Sequence, residues 1–377
     1  MAKEAAAIQT TGQTKPALER LDWDHLEFYV GNAKQAAHYY ATAFGFEVRA
    51  YAGPETGVHG RASYYLVQND LRFVVTSALA GDDPIARHVA RHGDGVRDVA
   101  LRVPDAKAAY EAALAGGARS LAAPERHSDA AGETITATIA TYGDTIHTFV
   151  ERERYRGIFL PGFAPLGSTA HAATPPSLQR IDHCVGNVGW NEMDDWARYY
   201  ADAFGFTPLV SFDDTDISTE FTALRSIVMS DAKRHIKFPI NEPAQGRKKS
   251  QIEEFLTFYD GPGIQHVAIA TDDIVAAVRA LRANGVEFLG TPDSYYDALE
   301  SRVGRIRETT AVLRELSILV DRDDLGYMLQ IFTKPLQDRP TLFFEIIERR
   351  GSESFGKGNF KALFVAIEEE QARRGNL

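Results

Sequence analysis

The chain has 377 residues, of which 44% are hydrophobic and 25% are charged, a composition typical of globular proteins with two or three domains or a duplicated unit. With 52 acidic and 41 basic residues the formal net charge is -11, which argues against a general nucleic-acid or anionic-membrane binder. The single cysteine, Cys184, excludes an intrachain disulfide and a thiolate cluster, so a metal site would use nitrogen and oxygen ligands.

The N-terminal segment carries no sustained hydrophobic pattern. Residues 1–18 are rich in Ala, Thr, Gln and Lys, which predicts a loose tail and not a signal peptide. The sequence has no window of 18 uninterrupted apolar residues. We therefore expect no membrane-spanning helix and a reducing, cytoplasmic location.

An internal repeat predicts the architecture. Residues 24–48 read DHLEFYVGNAKQAAHYYATAFGFEV, and residues 182–210 read DHCVGNVGWNEMDDWARYYADAFGFTPLV. Each copy predicts a strand, an amphipathic helix ending at AFGF, and a second strand. The segments that begin at Gly95 and Gly263 repeat the strand and helix pattern, so each half contains it twice.

The region between the copies has a different composition. Residues 156–178 are rich in Pro, Gly, Ala and Thr and predict a linker. We therefore predict an N-terminal domain at 19–155 and a C-terminal domain at 179–377. The short, alternating strand patterns favour antiparallel or mixed sheets with one face toward an interior. The expected class is α+β, with cup-shaped sheets and not a Rossmann sheet.

Histidines distinguish the two copies. The first copy has His25 and then Asp98, whereas the second has His183 and then His266 at the matching positions. Only the C-terminal half therefore offers an imidazole at both places. A lone histidine is more often a structural residue, but a matched pair in a repeat favours a shared function.

A candidate third ligand lies in the apolar segment TLFFEII. Alternation places Phe343, Glu345 and Ile347 on one face of this strand. A carboxylate there is costly to bury unless a cation or hydrogen bonds compensate. Metal ligation is the favoured interpretation, and an ion pair with Arg349 or Arg350 is the alternative.

Two imidazoles and one carboxylate form the facial triad typical of non-haem Fe(II) oxygenases. Such an ion keeps positions open for a bidentate 2-oxo acid and dioxygen. Zinc remains an alternative, although the sequence has no HExxH motif. His88 and His92 also have a helical zinc-like spacing, but without an evident third ligand we interpret them as a solvated helix face.

These residues belong to motifs that resemble the 4-hydroxyphenylpyruvate dioxygenase family of the vicinal-oxygen-chelate superfamily, from about Leu21 to Ala372. The motifs are DHCVGNV, FPINEP, KKSQIEEF, GPGIQHVA, GYMLQIFTKP, FFEIIERRG and FGKGNF. The resemblance implies duplicated domains, each built of paired βαβββ modules that form an open, barrel-like sheet. It further implies Fe(II) held by His183, His266 and Glu345, and an N-terminal half without metal.

The resemblance also implies a substrate site. Polar side chains would orient the keto acid and its phenol, and aromatic side chains would hold the ring; these are Ser226, Asn241, Gln251, Gln265, Gln330, Phe332, Phe343 and Phe360. Catalytic roles fall to Gln251, Gln265, Gln330 and Phe332. Gln265 fits least well, because strict alternation directs it away from the face of His266.

A C-terminal helix completes the expected site. The pattern predicts a helix at about 360–372, with Phe360, Leu363, Phe364 and Ile367 on one face. The glycines of SFGKGNF would provide a hinge before it. We interpret this helix as a lid that shields the metal from water, and a plain packing helix is the alternative.

The implied reaction converts 4-hydroxyphenylpyruvate and O2 to homogentisate and CO2 in tyrosine and phenylalanine catabolism. Its steps are oxidative decarboxylation, ring hydroxylation and side-chain migration. The alternatives are a 4-hydroxymandelate synthase, for which the resemblance implies a smaller aliphatic residue in place of Phe332, and a non-catalytic ligand-binding protein of the same superfamily. The expected partners are the small substrate, O2 and further copies of the chain in a dimer or tetramer, with no nucleic acid and no membrane.

Overall fold

The computed structural model describes residues 15–167, 172–213, 219 and 221–376. In the N-terminal half the strands are β1 (Asp22–Tyr29), β2 (Glu47–Ala52), β3 (Arg61–Gln68), β4 (Leu71–Ala78), β5 (Gly95–Arg102), β6 (Ser120–Asp129), β7 (Gly132–Ala140), β8 (Ile146–Glu151) and β9 (Ala164–Pro165). The helices of this half are α1 (Ala33–Phe44), α2 (Pro84–His92) and α3 (Ala106–Ala115).

The C-terminal half repeats this arrangement and extends it. Its strands are β10 (Leu178–Asn187), β11 (Thr207–Phe212), β12 (Ala223–Ser230), β13 (Lys237–Ala244), β14 (Gly263–Thr271), β15 (Leu319–Arg322), β16 (Tyr327–Phe332) and β17 (Phe343–Arg350). Its helices are α4 (Met193–Phe204), α5 (Gln251–Tyr259), α6 (Ile274–Ala283), α7 (Asp293–Asp297), α8 (Leu299–Val303), α9 (Thr310–Leu316) and α10 (Phe360–Arg373). None of the helices among the described residues has the length and hydropathy needed to cross a membrane.

Each half forms one mixed sheet with the same topology. The strand order is β6-β7-β8-β5-β1-β4-β3-β2-β9 in the first half and β11-β12-β13-β10-β14-β17-β16-β15 in the second. In both halves two antiparallel central strands, β1 with β5 and β10 with β14, are flanked by parallel partners. The expected α+β fold of paired βαβββ modules is confirmed.

The repeated AFGF motif is a helix terminator. Helices α1 and α4 end at Phe44 and Phe204, and the glycine that follows each adopts a left-handed conformation, with φ of 77° at Gly45 and 74° at Gly205. Glycine adopts this conformation at little cost. The second phenylalanine of each motif is then buried at the start of the next segment.

The halves share an apolar core. Phe344 of β17 packs against Phe44 of α1 at a ring-centroid distance of 5.2 Å and stacks on Phe73 of β4 at 5.9 Å. Trp23 of β1 meets Phe238 of β13 edge-on at 5.6 Å. Each half therefore buries part of its apolar surface against the other.

Two predicted boundaries need correction. The predicted tail extended to residue 18, but Pro16–Leu18 form a short 3-10 helix in which Leu18 is buried; residues 1–14 of that tail lie outside the described part of the chain. The predicted linker at 156–178 is also partly integrated into the fold, because Phe159 stacks on Tyr65 and β9 pairs with β2.

Helix α2 carries its histidines into the protein. Both His88 and His92 are buried, and Asp144, in the turn between β7 and β8, comes close to both of them. The interpretation of these residues as a solvated helix face was therefore wrong. Asp144 lies 52 residues from His92 in the sequence, so local spacing alone did not reveal it.

Candidate active site

Three neighbouring strands bring together the predicted metal ligands. His183 lies on β10, His266 on the adjacent β14, and Glu345 on β17, which pairs with β14 on the other side. The Nε2 atoms of His183 and His266 are 3.2 and 3.6 Å from the same oxygen of Glu345, Oε2. All three side chains are nearly inaccessible to solvent. The predicted triad therefore exists as a cluster of side chains on one face of the sheet.

Hydrogen bonds fix the orientation of both imidazoles. His183 donates from Nδ1 to Asp182 at 2.7 Å, and His266 donates from Nδ1 to the side-chain oxygen of Gln265 at 3.1 Å. Each Nε2 atom then points toward Glu345. Metal-binding histidines commonly have this arrangement, in which a partner on the far nitrogen sets the tautomer.

The electrostatics favour an ionised carboxylate in the cluster. Burial opposes the charged form of Glu345, but the neighbouring imidazoles of His183 and His266 outweigh burial and lower its pKa to about 2. Two imidazole nitrogens and one carboxylate oxygen are donors that Fe(II) and Zn(II) both accept. The residues thus fit a divalent cation.

The ion-pair alternative for Glu345 is not realised. The guanidinium of Arg349 binds the carboxylate of Asp182, with contacts of 2.8 and 3.0 Å, and Arg350 contacts Glu348. Burial opposes ionisation of Asp182, but Arg349 and His183 hold its pKa well below the usual range. Arg349 therefore acts on the cluster through Asp182 and His183.

A β-bulge explains the position of Gln265. In the pairing of β10 with β14, Val185 lies opposite His266 and the next residue, Gly186, lies opposite Ile264, so Gln265 is an extra residue in the ladder. Such a bulge redirects side chains. Gln265 and His266 both line the same cavity, and the expectation that alternation directs Gln265 away was wrong.

The cluster lies at one wall of a cavity with an empty volume of about 700 Å³, counting its open mouth. Every predicted substrate-side residue lines it, namely Ser226, Asn241, Gln251, Gln265, Gln330, Phe332, Phe343 and Phe360. A few polar groups within a largely apolar wall are typical of sites for small organic ligands.

The polar groups come from five different elements. Ser226 of β12 and Asn241 of β13 are cross-strand partners. Gln251 begins helix α5 and lies 3.5 Å from the side-chain nitrogen of Gln265. Gln330 of β16 is almost fully buried. These amides and the hydroxyl supply both donors and acceptors for an oxygen-rich ligand.

Aromatic rings surround the imidazoles. Phe343 stacks on His266 at a centroid distance of 4.8 Å, and Phe332 meets the same imidazole edge-on at 6.0 Å. Phe355 lies 5.3 Å from His183. Sequence reasoning missed Phe355, because it lies in the irregular segment between β17 and α10, where no periodic pattern identifies facing residues.

Helix α10 covers part of the cavity. Phe360, Leu363 and Phe364 line it, and Phe360 meets Phe212 edge-on at 4.9 Å. Near its end the buried Glu368 accepts a hydrogen bond from Thr222 at 2.6 Å. The helix spans Phe360–Arg373, close to the expected bounds, and its opening as a lid stays a prediction.

Comparison with known proteins identifies the superfamily. Two family models, both described as Glyoxalase/Bleomycin resistance protein/Dioxygenase superfamily, match residues 24–136 and 180–316. Curated proteins named 4-hydroxyphenylpyruvate dioxygenase are similar over almost the whole chain. The protein from Yarrowia lipolytica is 49% identical over 367 residues, 94% of this chain and 93% of its own. The one from Caenorhabditis elegans is 48% identical, with 94% and 93% covered.

Solved structures show the same architecture. A triple mutant of 4-hydroxymandelate synthase from Streptomyces coelicolor has a TM-score of 0.82 at 36% identity, covering 93% of this chain and 98% of that one. A fusion of a xylose isomerase-like TIM barrel with 4-hydroxyphenylpyruvate dioxygenase has a TM-score of 0.72, covering 96% of this chain and 54% of the fusion. At 22% identity, the second likeness concerns the fold alone.

Proposed function

The chain belongs to the family of 4-hydroxyphenylpyruvate dioxygenases, and we propose that it binds Fe(II) through His183, His266 and Glu345 and converts 4-hydroxyphenylpyruvate and O2 to homogentisate and CO2. The observation that carries this proposal is the convergence of two Nε2 atoms and one carboxylate at the wall of a cavity lined by amides and phenylalanines. Both atoms of O2 enter the products, because the substrate itself supplies the electrons.

The donor set supports iron as the metal. His183, His266 and Glu345 would hold the ion, and a set of two imidazoles and one carboxylate would leave coordination positions for other ligands. When bound, Fe(II) supplies coordination positions for the 2-oxo acid and dioxygen and takes part in the redox step. The chain keeps the ligands in place, because a hydrogen bond at each Nδ1 atom directs the Nε2 atom of the same imidazole toward Glu345.

The polar side chains bind and orient the substrate. We assign Ser226, Asn241, Gln251, Gln265 and Gln330 to contacts with the substrate, since all five line the cavity from separate elements. A site built to hydrogen-bond a polar group discriminates strongly against a substrate that lacks it. Loss of one amide should therefore affect recognition of the phenol or the keto acid more than the binding of metal.

The aromatic side chains shape the pocket and exclude water. Phe332 and Phe343 lie beside His266, with 6.2 Å between their ring centroids. Phe360, from helix α10, faces the same space. Offset contacts between such rings and a substrate ring contribute about 0.5–1.5 kcal/mol each. The three phenylalanines thereby hold the ring beside the metal ligands.

Side-chain hydroxylation to 4-hydroxymandelate is the nearest alternative reaction. The structural neighbour with that name is 36% identical, whereas curated dioxygenases reach 49% identity. Phe332 at the cavity wall supports ring chemistry, because the family resemblance associates a smaller aliphatic residue with the synthase. A purely ligand-binding role is disfavoured by the complete set of three metal-ligating side chains.

The decisive experiment adds Fe(II) anaerobically to the metal-free protein and then measures O2 uptake with 4-hydroxyphenylpyruvate. The aromatic product is identified by chromatography and mass. Homogentisate with one CO2 per O2 supports the proposal. Formation of 4-hydroxymandelate would remove the role given to Phe332, and absence of uptake would favour a ligand-binding protein.

Assembly and location complete the proposal. The family resemblance supports a homo-oligomer, either a dimer or a tetramer, which sedimentation of the purified chain would distinguish. A cytoplasmic location is supported by the lone cysteine, Cys184, which is buried and free. Fractionation of cells expressing the tagged chain would test it.

A further inference from the structure

A second cluster of metal-ligating side chains lies outside the cavity, in the N-terminal half. His88 and His92 are one turn apart on helix α2, and Asp144 reaches them from the turn before β8. One potential ligand atom from each residue lies within 4.8 Å of the other two. Histidines at positions i and i+4 of a helix share a face, as they do in many helix-borne zinc sites.

Both ring nitrogens of His92 contact oxygen atoms. Its Nδ1 atom contacts the backbone carbonyl oxygen of Tyr259, which only accepts, so Nδ1 carries the hydrogen. Its Nε2 atom lies 2.8 Å from Oδ2 of Asp144. Nε2 and Oδ2 are both potential metal ligands, and a metal ion bound by both would take the place of the hydrogen that they share in this contact.

His88 provides an independent indication of a ligand. Its Nε2 atom is buried and has no hydrogen-bond partner within the described part of the chain. When the hydrogen of the neutral ring lies on Nδ1, Nε2 offers a free lone pair to a ligand. A buried polar atom without a partner is destabilising, and a bound metal ion would remove that cost.

We propose that Nε2 of His88, Nε2 of His92 and the carboxylate of Asp144 form a second divalent-metal site, suited to Zn(II). Two imidazoles and a carboxylate are ligands that Zn(II) accepts in tetrahedral geometry, with a fourth position for water. That position can reach solvent, because the side chain of Asp144 is 45% exposed. The site is separate from the cluster around Glu345 and does not depend on the proposed function.

A competing cation and a hydrogen-bonded neighbour define the surroundings of this site. Arg91 contacts Asp144 at 3.3 Å, but its Nε atom binds Asp260 more closely, at 2.7 Å. The carbonyl partner of His92 belongs to Tyr259, the last residue of helix α5, whose first residue, Gln251, lines the cavity. Metal that orients His92 would thus stabilise a contact between the two halves.

The experiment measures the number of zinc ions bound per chain. The full-length protein, its variants His88→Gln and Asp144→Asn, and the control His38→Gln, at an exposed position of α1, are equilibrated with Zn(II) at micromolar free concentration and analysed for bound metal. We expect the wild type and His38→Gln to bind one equivalent more per chain than each cluster variant. The variant Glu345→Thr, which lacks a ligand of the catalytic cluster, should still bind the zinc ion that Asp144→Asn loses.

The outcomes separate the two sites. Loaded with Fe(II), Asp144→Asn should turn over like the wild type, and zinc should raise the melting temperature of the wild type by more than that of this variant. A cluster variant that binds as much zinc per chain as the wild type overturns the proposal. If His88→Gln fails to fold, Asp144→Asn decides alone, because its side chain is partly exposed and its loss leaves the core intact.

Discussion

Each half has one histidine whose Nδ1 atom is bound by an aspartate. The halves differ in the residues around the Nε2 atom of that histidine. Asp24 binds His25 at 2.7 Å, as Asp182 binds His183 at 2.7 Å. An arginine contacts that aspartate in each half: Arg152, just after β8, in the first and Arg349, in β17, in the second. A phenylalanine then faces the imidazole in both halves, at 5.0 and 5.3 Å.

The difference lies in the other two ligand positions. Asp98 stands where the second half has His266, and the pairing of β5 with β8 puts Thr148 where the second half has Glu345. Asp98 accepts a hydrogen bond from the backbone of Thr148 at 3.0 Å, and burial raises its pKa to about 7. A framework that orients one histidine is therefore not enough for the complete triad.

Replacing Glu345 by the residue type found at the matching position of the N-terminal half should have the largest effect on iron binding and turnover. Glu345→Thr places the residue type of position 148 among the ligands and removes the carboxylate oxygen that faces both Nε2 atoms. We expect bound iron and turnover to fall by more than the ~10–100-fold that loss of an outer partner costs. Metal analysis and O2 uptake measure this effect, and Thr148→Ser is the matched control. Retained iron with full turnover would remove Glu345 from the ligand set.

Acid should weaken the contact between the halves through His147. This buried residue of β8 accepts a hydrogen bond from Tyr200 of α4 at 2.8 Å and donates to Val99. Burial lowers its pKa from 6.5 to about 4, so the folded state keeps the neutral ring while the unfolded chain takes up a proton. The free energy of unfolding should therefore fall as the pH drops from 6.5 to 4, by about 3 kcal/mol from this group.

Denaturant titrations across that pH range test the contribution of His147. The variant His147→Gln should be less stable at pH 7 but show a shallower decline toward pH 4 than the wild type. Metal-free protein is used for both, so that proton competition at the metal ligands does not contribute. Equal pH dependence in the two proteins would assign the decline to other groups.

Replacing the arginine that contacts the aspartate should lower iron affinity in the second half only. Arg349→Gln leaves Asp182 without its bidentate partner, so His183 is less well oriented, and we expect apparent iron affinity to fall by ~10–100-fold. The equivalent change in the first half, Arg152→Gln, should leave iron affinity unchanged although it lowers stability. Competition with a metal chelator measures both affinities. Equal losses in the two variants would indicate a general effect on folding.

A substitution in the segment before α10 should have the smallest effect on stability and on KM. Gly356 has φ of 75°, and an added Cβ would lie 2.6 Å from the side-chain nitrogen of Gln330. Gly356→Ala should therefore cost about 1–2 kcal/mol of stability and raise KM several-fold. Gly162→Ala has the same kind of strain, with φ of 91°, but no contact with the cavity. It should lower the melting temperature without changing KM, and a shared change in KM would refute the role of Gln330.

Patterns within single segments predicted much of this molecule. The duplicated Asp-His and AFGF motifs gave the domain repeat, and alternation in the strand of Glu345 placed that residue on the cavity face. Local periodicity failed at Gln265, because a bulge breaks alternation at one residue. No pattern within β14 indicates that this strand has one residue more than β10 at that point of their pairing.

Contacts between distant segments could not be predicted. Arg349 and Asp182 are 167 residues apart, and the sequence offered Glu345 as an equally reasonable partner for this arginine. The approach of Asp144 to His88 and His92 likewise depends on how the turn before β8 packs against α2. Such pairings are determined by the packing of sheets and helices and not by spacing along the chain.

Strand β17 makes the duplicated halves inseparable. Its odd-numbered residue Glu345 faces the cavity, while Phe344, one position earlier, is buried against Phe44 and Phe73 of the other half. A fragment cut at the boundary between the copies would expose Phe344 to water and lose a fixed support on one side of the carboxylate. Excision of the catalytic copy, or its transplantation into another protein, would therefore need a substitute for the surface that the first copy provides.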